Sequence, residues 1–496
     1  MEDIKEYDIP YAYELFNRIT ASTVVNGQPL WALLLDDTHN LWHCFAQSAF
    51  IEDCVAFSIT KKFADVAPQY QAVQRSGMSF KYFLVGGLAF VVTLVALIGM
   101  RFGPKRVVLY SVDRLSPRGR FDFRIERVYQ ALAAERAPYV EVFHTVIGKR
   151  FVDNLLRRRR AAIYLEGLEW AYFLTRMGKR IFVGRAPTMV IDGLEGLTPD
   201  EQEFAKGLIH KYLSIAPLLR YRTDFLTWAL RGRTRVVFAI DDARRYQEFM
   251  IAAARIGAHS YAFQHSHVTP YHVGWLASGL YRGAYARPDY FVAWNEYWKE
   301  ELLALNSVWP EGSIIIAGSP KETSVFAATR ALPDSPVRTI ILAYETHAPQ
   351  RIVKKVLDTL VECADVRVVI KIRPDLPAEG QLSVFGTVPN SVRVITNLTE
   401  LAEPVTAVLG TYSTFLYDAV EAGLPVGLIK TPLAYTKRMV LNGLADDVTV
   451  DGACAAVGRL AALTTADIGF RQKVLSEAGR LGVVIHDILV HENAVG

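Results

Sequence analysis

Cysteine is scarce in this chain. Its four residues, Cys44, Cys54, Cys363 and Cys454, show no C-x-x-C spacing, which argues against a zinc site and a disulfide framework and fits a reducing cytoplasm. Excess charge is scarce too: the net value of +4 over 496 residues is too small for a nucleic-acid binder. No internal repeat or low-complexity tract stands out. With 51% hydrophobic and 21% charged residues, the composition excludes a disordered polymer. The length excludes a single compact core and predicts two or three domains.

What the chain does contain is one long stretch without charge. Between Lys81 and Arg101 lie YFLVGGLAFVVTLVALIGM, 19 residues. As a helix they reach about 28 Å, close to the hydrocarbon thickness of a bilayer. The stretch lies too far from the N-terminus for a cleaved signal peptide. A buried core helix is the alternative, helped by Gly86–Gly87, but such a helix in a soluble α/β protein usually keeps a polar edge. A membrane-inserted helix is therefore expected. Arg101, Lys105, Arg106, Arg114, Arg118 and Arg120 follow it, opposed only by Asp113. The positive-inside rule then places the C-terminal bulk on the cytoplasmic face of the cell membrane. Residues 1–81 hold 6 Lys/Arg against 10 Asp/Glu, whereas residues 101–496 hold 49 against 41. The acidic first 80 residues lie either outside or, if the helix only dips into the membrane, on the same side.

Further organisation follows from strand-like runs alternating with helix-like ones, which predict parallel doubly wound sheets. Residues 1–80 read as a small helical or mixed subdomain and 81–101 as the membrane helix. Residues 102–308 hold a first sheet, with strands at Arg106–Ser111, Arg235–Ile240, Ser260–Phe263 and Tyr290–Ala293. Residues 309–450 hold a second, with strands at Ser313–Ala317, Thr339–Ala343, Arg367–Ile372, Val405–Leu409 and Val426–Ile429. The tail 451–496 reads as two helices. Arg157–Arg160 reads as a solvated helix end favoured by the dipole or as a contact for anionic lipid.

In such sheets ligands bind beyond the carboxyl ends of the strands, so the residues directly after strands are the candidates. In the second sheet these are Glu345, Lys371 and Arg373, and the turn Thr411–Tyr412–Ser413–Thr414. That turn opens a helix with Asp418 one turn inside, where hydroxyls and unpaired N–H groups suit a phosphate. Ser413 or Thr414 serving only as an N-cap is the plainer alternative. In the first sheet the candidates are Asp241–Asp242 and Gln264–His265–Ser266–His267, and Asp241 or Asp242 as a mere helix cap stands beside a catalytic role. His265, His267 and His272 match no metal-ligand spacing, so no metal and no cofactor is expected.

Residues 405–428, VTAVLGTYSTFLYDAVEAGLPVGL, resemble the nucleotide-binding half of bacterial GT-B-fold transferases that build capsule, lipopolysaccharide and teichoic-acid polymers. Gln264–His265 resembles the "QHG" strand end of that family, with Ser266 where the family has glycine. Ala317–Gly318–Ser319–Pro320 resembles its "xGxP" entry to the second domain. Val368–Pro374 resembles "viKxHP", with Arg373 in place of histidine. The resemblance covers roughly residues 230–430. It implies two facing Rossmann-like domains, a last helix crossing back to the first, and transfer of a sugar from a nucleotide-sugar donor to a glycan or lipid-linked acceptor. Lys371, Arg373, Thr411, Ser413, Thr414, Asp418 and Glu345 fall on the donor side, with Asp418 reaching the ribose. Asp241 is expected as the base and His265 as its alternative or as a phosphate partner. Arginine cannot donate a proton as histidine does, but its fork suits a phosphate. A polyol-phosphate transferase and a non-catalytic nucleotide-sugar-binding scaffold remain as alternatives.

Overall fold

A computed structural model describes residues 8–36, 41–61, 80–104, 107–112, 121–144, 152, 155–156, 162–180, 189–240, 247–272, 275–276, 286–320, 336–345, 348–373, 378–382, 385, 387–401, 403–433, 437–475 and 480–492. Asp241, Asp242 and Arg157–Arg160 lie outside these residues.

In chain order the strands are β1 (Val24–Val25), β2 (Gln28–Pro29), β3 (Val107–Val112), β4 (Tyr139–His144), β5 (Ile163–Tyr164), β6 (Ile191–Asp192), β7 (Val236–Ile240), β8 (His259–Phe263), β9 (Tyr290–Ala293), β10 (Ile314–Ile316), β11 (Arg338–Ala343), β12 (Val366–Lys371), β13 (Arg393–Ile395), β14 (Ala407–Gly410), β15 (Val426–Ile429) and β16 (Asp446–Val448). Continuous Val/Ile/Leu runs such as VVFAI in β7 and AVLG in β14 are buried throughout, as strands covered on both faces must be. Seven parallel strands form one sheet in the order β10-β9-β8-β7-β3-β4-β5, and six form a second in the order β13-β12-β11-β14-β15-β16. Both are doubly wound. The strand order reverses between β3 and β7 in the first and between β11 and β14 in the second, and such switch points are where ligands bind.

The strand expected to open the second domain belongs to the first. Residues Ile314–Ile316 pair in parallel with Phe291–Ala293, so the first sheet runs past position 308. The chain leaves it through Gly318, whose φ of +93° suits only glycine. Arg127 then pins the exit, its guanidinium donating to Ser319 O at 2.8 Å and its N–H to Pro320 O at 3.1 Å.

The described residues of 8–36 and 41–61 are mostly helical, with a β1–β2 hairpin that pairs antiparallel to β6. They pack on the helix Pro199–Leu230: Arg18 meets Glu201 at 2.8 Å, Asp53 meets Lys211 at 3.0 Å, and Phe57 stacks on Phe204 at 4.5 Å. Ile9, Leu15 and Phe45 share one core with Phe291, Trp298 and Leu302.

The apolar stretch is a helix, Phe80–Phe102, but it does not stand clear of the α/β domain. It lies against the helix Leu165–Arg180 and the edge strand β5. A Cβ on Gly167 would come within 2.8 Å of Ala89 O, and one on Gly86 within 2.8 Å of Trp170, so glycine on both sides permits the close crossing. Thr93 Oγ1 receives the Tyr164 N–H at 3.0 Å and donates to Tyr164 O at 3.3 Å, completing the edge of β5.

The tail forms three described helices, Ala453–Ala461, Thr465–Leu475 and Leu481–His491, where two were expected. The last crosses back as expected, placing Leu481, Ile485 and Leu489 in a core with Val107, Leu109 and Phe238. His486 pairs with Glu135 at 2.9 Å, and Glu492 with His259 at 2.6 Å.

The cysteine reading is corrected. Cys363 and Cys454 form a disulfide, with Cα atoms 6.3 Å apart across 91 residues of sequence. The fold sets the end of the Gln350–Glu362 helix beside the start of the Ala453–Ala461 helix, a proximity that local spacing cannot reveal. Cys44 and Cys54 are free and buried.

Candidate functional site

Three adjacent strands of the second sheet, β12, β11 and β14, end together at the switch point. Ala343 is in register with Lys371 and Leu342 with Leu409. The segments that follow are Tyr344–Glu345, Ile372–Arg373 and Thr411–Ser413.

Glu345 takes a role that sequence reasoning missed. Its carboxylate is buried and turned into the Thr411–Ser413 turn. It accepts the N–H of Thr411 at 2.7 Å, of Tyr412 at 3.0 Å and of Ser413 at 2.6 Å, as well as the Thr411 hydroxyl. Burial pushes the carboxyl up from its ordinary range, and the four donors pull against that push. The concave set of N–H groups that an external anion would seek is thus filled from within. Glycine at 410 makes the room: a Cβ there would lie 3.0 Å from Glu345 Oε1 and 3.0 Å from Leu416.

The next residues face outward. Ser413 is the N-cap of the helix Thr414–Glu421, accepting the Phe415 N–H at 3.2 Å, and its hydroxyl proton is a further donor. Ser413 therefore caps the helix, which by itself decides nothing about a phosphate. Lys371 leans across the helix start, its ammonium 5.1 Å from the Phe415 ring centre and 3.4 Å from Ile372 O. A cation over that ring stands at the positive end of a helix, an arrangement that suits a negatively charged third group. Arg373 is held through its backbone: the buried Gln381 amide accepts its N–H at 2.7 Å and donates to its carbonyl at 2.9 Å. No local pattern marks Gln381, because its partner lies eight residues earlier in the sequence. Thr414 and Asp418 are half-buried on the helix.

From the first sheet, the loop after β8 comes to meet this turn. Gln264 is buried and structural. It receives the Trp294 backbone N–H at 3.1 Å on its side chain and the Trp294 indole N–H at 2.6 Å on its carbonyl. His265 follows it, half-buried. His267 reaches the second domain, its ring 6.2 Å from Tyr412 and 6.4 Å from Tyr417, nearly parallel to the latter. Tyr417 also packs on Trp298 at 4.6 Å, and burial pushes its phenol well above the ordinary range. Nearby, Glu301 pairs with Arg438, and Asn295 donates to Leu475 O at 2.7 Å. His267, Tyr412, Tyr417 and Trp298 therefore join the two domains directly beside the Ser413 turn. In sequence Tyr417 and Trp298 look like ordinary core aromatics, whereas Tyr412 and His267 stand in segments that directly follow strands.

At the other switch point, β3 and β7 end side by side. Asp241 follows Ile240, the last residue of β7, and itself lies outside the described residues. Ser111 at the end of β3 donates to Asp122 at 3.0 Å, and Arg124 closes on the same carboxylate at 2.7 Å. That buried cluster buttresses the strand end.

Two doubly wound parallel sheets joined through their carboxyl ends, with the last helix returning to the first, are the GT-B layout. No family model matches the sequence, and no curated protein does. Among solved structures, the glycotransferase of kitacinnamycin covers 79% of this chain and 100% of its own at 12% identity and a TM-score of 0.48. The lipopolysaccharide outer core galactosyltransferase WaaB covers 78% and 99% at 12% identity and 0.45. UDP-GlcNAc 2-epimerase from Neisseria meningitidis, bound to UDP-GlcNAc, covers 78% and 100% at 12% and 0.45. At such values the two-sheet architecture stands on its own strand orders and registers.

Proposed function

We propose that this chain is a membrane-associated glycosyltransferase that moves a sugar from a nucleotide-sugar donor to a glycan or lipid-linked acceptor in surface-polysaccharide synthesis, with its catalytic domains on the cytoplasmic face. The observation that carries the proposal is the meeting of Lys371 and the Ser413-capped helix start with the His265–His267 loop of the opposite domain, at the strand ends where doubly wound sheets bind ligands.

Such a transfer needs a base for the acceptor hydroxyl and positive partners for the departing phosphates. Lys371, the N–H groups at the start of the Thr414–Glu421 helix and the Ser413 hydroxyl supply the second, with Arg373 beside them. Asp241, next to the first switch point, supplies the first. Because Glu345 already fills the turn's inner N–H groups, the donor's phosphates sit on the outer side of the turn, toward Lys371.

The test is a titration of UDP-, CMP-, GDP- and CDP-linked sugars, followed by nucleotide release with and without acceptor. Lys371→Ala and Ser413→Ala/Thr414→Ala should each weaken donor binding about ten- to a hundredfold, the worth of charge-assisted bonds of about 1.5–3 kcal/mol. Unchanged binding in both would place the nucleotide elsewhere. Binding without turnover would favour the scaffold reading.

A further inference from the structure

The apolar helix Phe80–Phe102 has two faces with different partners. Ala89, Thr93, Ala96, Leu97 and Met100 are buried against the first α/β domain. Leu84, Leu88, Val91, Val95, Ile98 and Phe102 are 42–80% exposed and recur at three- and four-residue steps, which puts them on one stripe. The antiparallel crossing that sets Gly86 against Trp170 and Thr93 against Tyr164 carries Phe173 and Leu174, each 37% exposed, to the first turn of the helix. Near its other end, the helix bearing Leu226 and Leu230, which share a core with Leu97 and Met100, exposes 55% of Trp228.

Charge brackets this face: residues 82 to 100 carry none, with Lys81 before them and Arg101 after. The sequence from 80 to 104 holds no Asp or Glu. Arg101 closes the helix, and Arg231, Arg233 and Arg235 stand at the end of the neighbouring one, with Arg233 donating to Gly103 O at 3.0 Å. An apolar strip ending in a basic rim fits a bilayer carrying anionic headgroups.

A single crossing of that bilayer conflicts with the packing on both sides of the helix. Residues before it and after it share one core and direct ion pairs, Arg18–Glu201 and Lys211–Asp53, so both flanks lie on the same side. The face opposite the stripe is bonded to the edge of β5. Behind it the fully buried Arg222 pairs with Glu169 at 2.6 Å and with Glu248, charges that hydrocarbon would not tolerate uncompensated. We propose that Phe80–Phe102 lies in the plane of one anionic leaflet and holds the first α/β domain against it, rather than spanning the membrane. The proposal shares with the functional reading only its membrane location and is independent of the donor chemistry.

The test uses the intact chain. It should float with vesicles of phosphatidylcholine and phosphatidylglycerol, and at least tenfold less with phosphatidylcholine alone. Leu88→Glu with Val95→Glu should abolish flotation while leaving thermal unfolding unchanged, since both side chains are exposed. Arg101→Glu with Arg231→Glu should remove the preference for phosphatidylglycerol. In sealed membrane vesicles, cysteines placed at the exposed positions Glu14 and Glu379 should react with an impermeant maleimide from the same side. Labelling from opposite sides would overturn the in-plane arrangement and leave membrane association standing. Absence of flotation would overturn the whole proposal, as would a dimer dissolved by the Leu88/Val95 change in a chain that binds no vesicle. Equal binding to both lipid mixtures would remove the anionic partner.

Discussion

The Glu345 carboxylate accepts the Ser413 N–H at 2.6 Å, so a side chain carried by one strand end shapes the turn at its neighbour. Replacing it by glutamine puts an NH2 group among four donors. Leaving a buried N–H without an acceptor costs about 1–3 kcal/mol. Glu345→Gln should therefore lower the urea midpoint and weaken donor binding together. Gly410→Ala should act in the same direction, since its Cβ would press on Glu345 Oε1 at 3.0 Å. A Glu345→Gln protein that unfolds and binds as the parent does would show that the turn holds itself.

Much of the fold could be read from local runs. Buried parallel strands are short stretches of consecutive apolar residues, so β7, β8, β9, β11, β12 and β15 are predicted to within a residue or two of their observed limits. What escaped is pairing across distance. The run at 314–316 looks like any other strand, and only its register with Phe291–Ala293 shows which sheet owns it. Thr93 looks like a minor polar interruption in an apolar helix until Tyr164 is beside it, 71 residues away. The site divides in the same way. Lys371, the Ser413 turn and His267 follow strands and are legible by position, whereas Tyr417 and Gln381 stand on helices and find their partners only once the chain is folded.

A second prediction concerns the Cys363–Cys454 bridge. Closing 91 residues removes unfolded-state entropy worth about 4–5 kcal/mol in the chain-entropy model. Denatured without reductant, the protein should show two titratable thiols, those of Cys44 and Cys54, and four after reduction. Cys454→Ser should lower the melting temperature of the oxidised protein and leave the reduced one unchanged. Four thiols before reduction would mean that the second domain stands without the bridge.

Acid and base should loosen different attachments. Burial pushes Glu201 up, but Arg18, Tyr11 and the Thr198 N–H outweigh it and hold the carboxyl down to about 2, against an ordinary 4.5. A depressed carboxyl stabilises the fold above its unfolded value and loses that contribution as pH falls from 4.5 through about 2. The packing of residues 8–22 on the Pro199–Leu230 helix should weaken over that window, and Glu201→Gln should flatten the dependence. At the other end, the bond to Glu135 raises His486 above its ordinary value. Its contribution is present below 6.5 and is lost as pH rises through the raised value. Protection factors of the Leu481–His491 amides, which already allow for the intrinsic rise of exchange with pH, should fall across that window in the parent and not in His486→Ala.

The last prediction separates the two candidates for the base. In sequence Asp241 comes directly after β7, which pairs with β3, and His265 directly after β8, the next strand over, so each succeeds a strand end of the first sheet. Only one need take the acceptor's proton. An imidazole close to the donor's phosphates tends to stay protonated, which suits a charge partner better than a base. Asp241→Asn keeps the shape of the side chain and removes its basicity. It should cut transfer by about 10²–10⁴, the worth of general-base assistance, while donor titrations remain as in the parent. His265→Ala should instead weaken donor binding and rate in step. An active Asp241→Asn variant beside a donor-competent but inactive His265→Ala variant reverses the assignment, and full activity in both removes these strand ends from the reaction.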